Sequence, residues 1–247
     1  METIVNNKLT NYSVINANTK KYCLILHGWG HKSNMWSSFS QLLPKDYGYI
    51  LLDLPGFGGS QHLETGASVP EYGQFVVDFL NKLKIKKVTI IGHSFGGQIG
   101  TYLAINKPEL IEKLILVAPA VIRDKGLKQR AKNWLYGQFG FVKKILPAKV
   151  IDWIYKKVSS SDYHLASLEK REILKKINKY HLKDKLNNIV CPTLIIFGEM
   201  DREINFDGKY LAKNIEKAKL RIIYGGGHNM YLENKDELAN TIGGFLK

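Results

Sequence analysis

The amino-acid sequence predicts an α/β protein, with a mostly parallel central sheet and helices on both faces. Three observations carry that expectation: short continuous apolar runs recur along the chain, stretches with helical apolar spacing separate them, and the runs end in loops that hold His27, Asp53, Ser94, Asp201 and His228. A strand buried on both faces reads as a continuous apolar run rather than an alternating one. Strands alternating with helices call for a parallel sheet covered on both sides.

Residues 9–15 and the run Lys20-Lys21-Tyr22-Cys23-Leu24-Ile25-Leu26 are expected as strands, the second ending in His27-Gly28-Trp29-Gly30. Tyr49-Ile50-Leu51-Leu52 follows and ends in the glycine-rich loop Asp53-Leu54-Pro55-Gly56-Phe57-Gly58-Gly59-Ser60. From Val69 to Leu83 the apolar residues Phe75, Val76, Phe79, Leu80 and Leu83 recur at helical spacing. Val88-Thr89-Ile90-Ile91 then leads into Gly92-His93-Ser94-Phe95-Gly96-Gly97 and a helix, so Ser94 falls where a strand stops and a helix starts. Leu114–Ala118, residues 192–198 and residues 220–224 complete the strands, and helices are expected near 207–217 and 233–246. Residues 121–185 hold no comparable strand, only lysine-rich amphipathic stretches around aromatic residues. They are expected to form an inserted helical cap, with 1–120 and 186–247 forming the core.

Length and composition narrow the class. A chain of 247 residues, 45% hydrophobic and 11% aromatic, suits one globular unit with a lid and excludes a disordered chain. No apolar run approaches the ~20 residues that span a bilayer, and Met1–Asn7 lacks a basic region followed by an apolar one. Cys23 and Cys191 sit beside core strands without metal-type spacing and are expected as buried thiols in a reducing compartment, the cytoplasm. The net charge of +14 is uneven: residues 121–185 carry 17 Lys or Arg against 6 Asp or Glu, a net of +11. A basic lobe can attract an acidic partner, yet lysine is also the usual filler of a solvated helix face. No aromatic-interleaved nucleic-acid motif accompanies it.

The chemistry follows from where the polar residues fall. Ligands of an open parallel sheet bind at the carboxyl ends of its strands, which would gather these loops on one rim. A serine hydroxyl is a weak nucleophile near neutral pH, so His228 is expected to take the proton of Ser94, with Asp201 fixing the imidazole tautomer and stabilising the imidazolium. Glu199 and Asp124 compete for the acid role. The backbone amides of Phe95 and Trp29 are expected to form the oxyanion hole. His27 and Gly28 shape the Trp29 loop and stand with Phe57 as candidate substrate contacts, while His27 and His93 flank the site as structural residues. Asp53 is expected to organise its own turn. No dinucleotide fingerprint or metal-ligand spacing is present, and the mechanism calls for no cofactor.

Taken together, His27-Gly28-Trp29-Gly30, Asp53-Leu54-Pro55-Gly56-Phe57-Gly58, Gly92-His93-Ser94-Phe95-Gly96-Gly97, Gly198-Glu199-Met200-Asp201 and Gly227-His228 resemble the α/β-hydrolase superfamily. The resemblance covers residues 20–120 and 190–247, and Gly-x-Ser-x-Gly is its nucleophile elbow. Within the superfamily the chain is similar to the small carboxylesterase, lactonase and carbon-carbon-bond hydrolase group. The paired HGWG and DLPGFG motifs also resemble pimeloyl-carrier-protein methyl ester esterases, in which a basic cap receives an acidic acyl carrier protein. The chain departs from that subgroup at His93, where a bulky aromatic often stands. Serine at position 94 is unlike the aspartate of epoxide hydrolases and haloalkane dehalogenases.

The resemblance implies a serine hydrolase acting on a small-molecule carboxylic ester. Alternatives are a lactonase or carbon-carbon hydrolase whose substrate carboxylate meets Arg123, Arg130 or nearby lysines, and a ligand receptor on the same fold that does not turn over.

Overall fold

The continuous apolar runs form the middle of one sheet, which has eight strands among the described residues. The computed structural model describes residues 1–64, 67–122, 168–204 and 206–247. The strands are β1 (Glu2–Val5), β2 (Lys8–Ile15), β3 (Lys21–Leu26), β4 (Tyr47–Leu52), β5 (Val88–His93), β6 (Ile111–Val117), β7 (Thr193–Gly198) and β8 (Ala218–Ile223). Their order is β1-β2-β4-β3-β5-β6-β7-β8. β3 to β8 run parallel, and β2 lies antiparallel to both β1 and β4.

Side-chain alternation divides the interior into two cores. Leu24 and Leu26 of β3, Ile50 and Leu52 of β4, Ile90 of β5, Leu114 and Leu116 of β6, and Ile195 and Phe197 of β7 face one core. Their sequence neighbours Cys23, Ile25, Tyr49, Leu51, Ile91, Ile115, Val117, Leu194 and Ile196 face the other. This is the period-2 rule applied to strands covered on both sides, and it is why these runs carry no polar alternation.

Helices α1 (Ser37–Ser40), α2 (Val69–Lys82), α3 (Phe95–Asn106), α4 (Leu168–Lys179), α5 (Gly208–Asn214), α6 (Met230–Glu233) and α7 (Lys235–Leu246) supply the covers. Val76, Phe79 and Leu80 of α2, Ile99 and Leu103 of α3, and Leu211 of α5 close the first core. Phe39, Met230, Tyr231, Leu238 and Ile242 close the second. α2 starts at Ser68, whose backbone N–H donates to Glu71 Oε2 at 2.7 Å, the reciprocal arm of a capping box.

Within the segment expected as the inserted cap, residues 123–167 lie outside the described residues. α4 belongs to that segment, and it sets Ile173 and Ile177 into the first core. The amino-terminal strand β1 was not expected. It pairs with β2 through Asn6 and Asn7, whose φ values of 49° and 60° make the two-residue turn that matches strand twist.

Strand order places the site. The connection from β3 goes to β4 on one side, whereas β5 lies on the other, so the carboxyl ends of β3 and β5 flank the switch point of the sheet. Leu26 and Gly92 are register partners there, one residue before His27 and two before Ser94.

Candidate active site

Ser94 caps α3 with φ 49° and ψ −109°, a conformation that L-residues rarely adopt. The chain holds it there by backbone bonds on both sides: Ser94 N–H donates to Val117 O at 3.0 Å, and Ala120 N–H donates to Ser94 O at 3.1 Å. So sharp a turn brings α3 against the sheet. A Cβ on Gly92 would meet Gly97 Cα at 2.7 Å, and one on Gly96 would meet His27 O at 2.8 Å, which is why only glycine fits at both positions. Gly28 lies directly against the serine, since a Cβ there would stand 3.4 Å from Ser94 Cβ.

Asp201 and His228 meet across the ends of β7 and β8. His228 Nδ1–H donates to Asp201 Oδ2 at 2.8 Å, with side-chain exposures of 7% and 3%. The other carboxylate oxygen accepts Glu203 N–H at 2.9 Å, so the acid is anchored in its own turn. Met200 N–H donates to Gly226 O at 2.8 Å, and a Cβ on Gly198 would strike the same glycine run. It is the bareness of Gly198 that lets the two loops approach this closely, while Gly225 takes a positive φ of 68° in the turn before His228. A donor on Nδ1 leaves the Nε2 lone pair facing outward. Among the described residues no hydrogen bond joins Ser94 Oγ to that nitrogen, whose side of the ring is opposite the Asp201 bond.

Glu199, a competing acid, turns away: its Oε2 accepts Gly225 N–H at 3.0 Å in an exposed position. Asp124, Arg123 and Arg130 lie outside the described residues.

His93 ties the two halves of the site together. It is fully buried, and burial holds its imidazole well below the usual histidine range, so the ring is neutral. Its Nε2 lies 3.0 Å from the backbone oxygen of His228 and must carry the proton, because a carbonyl only accepts. Its ring centroid lies 4.7 Å from that of His228 and 5.7 Å from that of His31, which stacks on it. Tyr231 closes the cluster, its hydroxyl 3.0 Å from His31 Nδ1 and its ring stacked on Trp36 at 4.1 Å. His31, Trp36 and Tyr231 were not expected at the site, because nothing in their spacing marks them as neighbours of residue 228.

The match to known proteins decides the family. The alpha/beta hydrolase fold model covers residues 24–235. The chain belongs to the α/β-hydrolase fold family.

This α/β hydrolase is 26% identical to monoacylglycerol lipase ABHD6 of Homo sapiens, over 92% of this chain and 75% of that protein. It is 25% identical to a 2-hydroxy-6-oxononadienedioate/2-hydroxy-6-oxononatrienedioate hydrolase of a Pseudomonas species, over 93% and 89%. Among solved structures it is similar to a membrane phospholipase A described as a bacterial virulence factor, with a TM-score of 0.81 at 22% identity, over 100% and 84%. That last likeness concerns the fold alone.

The remaining positions of the hydrolase site have clear geometry. Phe95 N–H is the first amide of α3 and has no carbonyl one turn earlier to bond. Trp29 follows β3 in a turn, its ring 4.9 Å from Phe57 and 5.7 Å from Phe95. His27 is fully buried, and burial pulls its pKa down to about 4. Its Nε2 accepts Leu54 N–H at 3.0 Å, so the proton sits on Nδ1, which donates to Gly28 O at 2.8 Å. Both ring nitrogens are thus spent on backbone groups, and His27 joins the ends of β3 and β4 instead of offering a donor to substrate.

Asp53 organises more than its own turn. One oxygen accepts Ser33 N–H at 2.7 Å, and the other accepts Asn11 Nδ2 at 2.7 Å and Gly59 N–H at 2.9 Å. Burial alone would raise its pKa, but these bonds, with those from Gly59 and Ser33 foremost, hold it below the usual carboxylate range. Cys23 and Cys191 are free thiols, both buried, and burial pushes each pKa up. Among the described residues no helix is long and apolar enough to cross a membrane, and no cluster of metal-ligating side chains occurs.

Proposed function

We propose that this protein hydrolyses a carboxylic ester through an acyl-Ser94 intermediate. The observation that carries the reading is the buried Asp201–His228 pair, with its Nδ1–Oδ2 distance of 2.8 Å, at the sheet rim where the elbow presents Ser94. As Ser94 Oγ attacks the acyl carbon, His228 Nε2 takes the hydroxyl proton and Asp201 stabilises the imidazolium. The negative oxygen of the tetrahedral intermediate falls to the amides of Phe95 and Trp29. Collapse breaks the bond to the leaving alcohol, which takes its proton from His228. Water then repeats the sequence on the acyl-enzyme and frees the acid. Trp29, Phe57 and Phe95 line the acyl side, and the net charge of +11 that the sequence places in residues 121–185 suits an anionic substrate or an acidic carrier protein. Two free buried thiols support a cytoplasmic setting.

A second reading, a lactonase or carbon-carbon hydrolase, draws support from the Pseudomonas relative. A panel of short p-nitrophenyl esters, lactones and carboxylate-bearing dienones, run on wild type and Ser94→Ala, separates the two. Ester turnover that vanishes in Ser94→Ala is expected; turnover of the dienones alone would favour the second reading, and ligand-dependent thermal stabilisation without any turnover would mark a receptor.

A further inference from the structure

The substrate-facing nitrogen of His228 does not look onto neutral surroundings. Glu203 Oε2 lies 3.7 Å from Nε2, on a side chain that is 61% exposed. Its place is not accidental, since Glu203 N–H is held by the same Asp201 carboxylate that holds His228. Among the described residues no lysine or arginine pairs with it. A second carboxylate stands nearby: Glu233 packs against Gly227, the residue before His228. Both acids are felt at Tyr231, whose phenol pKa is pushed up first by burial and then by Glu203 and Glu233. A chain with a net charge of +14 thus sets two carboxylates beside His228 among its described residues.

We infer that Glu203 selects the leaving group of the ester by charge, favouring alcohols that carry an ammonium or further hydroxyl groups and rejecting those that carry an anion. The inference rests on the hydrolytic reading of Ser94 and deepens it. In that reaction Nε2 delivers the proton to the leaving oxygen, so the leaving group must pass beside Nε2 and beside the carboxylate that neighbours it. A cation there gains Coulomb attraction, a hydroxyl finds an acceptor, and an anion meets repulsion. Because Glu203 is more than half exposed, water screens the effect, and roughly five- to tenfold per unit charge is the expected scale. Acyl-side anions lie on the other side of the reacting carbon and escape this selection.

Three thioacetates whose departing thiols are cationic, neutral and anionic test it, the change of their ratios between variants cancelling differences of size and thiol basicity: acetylthiocholine, S-acetyl-2-mercaptoethanol and S-acetylthioglycolate. For each, kcat/KM is measured from thiol release on wild type, Glu203→Gln, Glu203→Lys and Ser94→Ala, at low and high salt. Wild type should prefer the cationic over the anionic substrate by more than tenfold. Glu203→Gln should flatten that ratio, Glu203→Lys should invert it, and salt should weaken it in wild type. A ratio that Glu203→Gln and Glu203→Lys leave unchanged overturns the inference while the Ser94 mechanism stands. Absence of Ser94-dependent release from all three substrates overturns both.

Discussion

His93 occupies the position before the candidate nucleophile and bonds the backbone of the candidate base, so its removal should be felt at both. In His93→Leu the carbonyl of His228 loses a buried donor, whereas His93→Gln keeps an N–H at comparable reach. We expect kcat/KM on a p-nitrophenyl ester to fall on the order of tenfold in His93→Leu, with KM little changed, and to recover in part in His93→Gln. Equal rates in both variants would show that the bond positions nothing. For Asp201→Asn the charge that stabilises the imidazolium is lost at constant shape, and a fall of about 10³–10⁴-fold in kcat is expected with the fold intact by circular dichroism. A fall below tenfold would take the acid role from Asp201.

At the scale of elements, the site exists because loops from β3, β5, β7 and β8 approach more closely than side chains permit. Gly96 sits against the carbonyls that end β3. Gly96→Ala should therefore cost about 3 kcal/mol or more in urea unfolding, beyond the usual core overpacking penalty, because the obstacle is backbone. A loss under 1 kcal/mol would mean the elbow is free to relax.

Elements also explain what could be read from the chain beforehand. β3 to β7 were legible because burial on both faces removes polar alternation, Ser94 and Asp201 because each follows such a run, and His228 because it ends the glycine run after the edge strand β8. β1 escaped notice since its four residues, Glu2-Thr3-Ile4-Val5, are short and half exposed; the Asn6-Asn7 turn was the signal that could have found it. Glu203 and the His31–Trp36–Tyr231 cluster were not legible at all. Their significance depends on where side chains aim, and spacing along the chain does not encode that.

For the molecule as a whole, the buried histidines make stability depend on pH. The folded-state pKa of His27 is about 4, below its ordinary value of 6.5. Between those limits the unfolded chain binds the extra proton, so stability rises with pH there, is fully present above 6.5 and is lost as pH falls. His93 acts in the same direction. Each contributes up to about 1.4 kcal/mol per pH unit across its window, and Asp53, held below its ordinary value, adds a further loss below about 3.8. Unfolding midpoints in urea should fall steadily from pH 7 to pH 5; a flat profile would mean that these rings are protonated in the folded protein.

Acyl transfer at this site requires Ser94 to be a nucleophile activated by His228. Incubation with a fluorophosphonate, followed by peptide mapping, measures this without any assumption about substrate. Stoichiometric phosphonylation at Ser94, slowed by orders of magnitude in His228→Ala, is the expected result; an unlabelled Ser94 in folded protein would contradict the account.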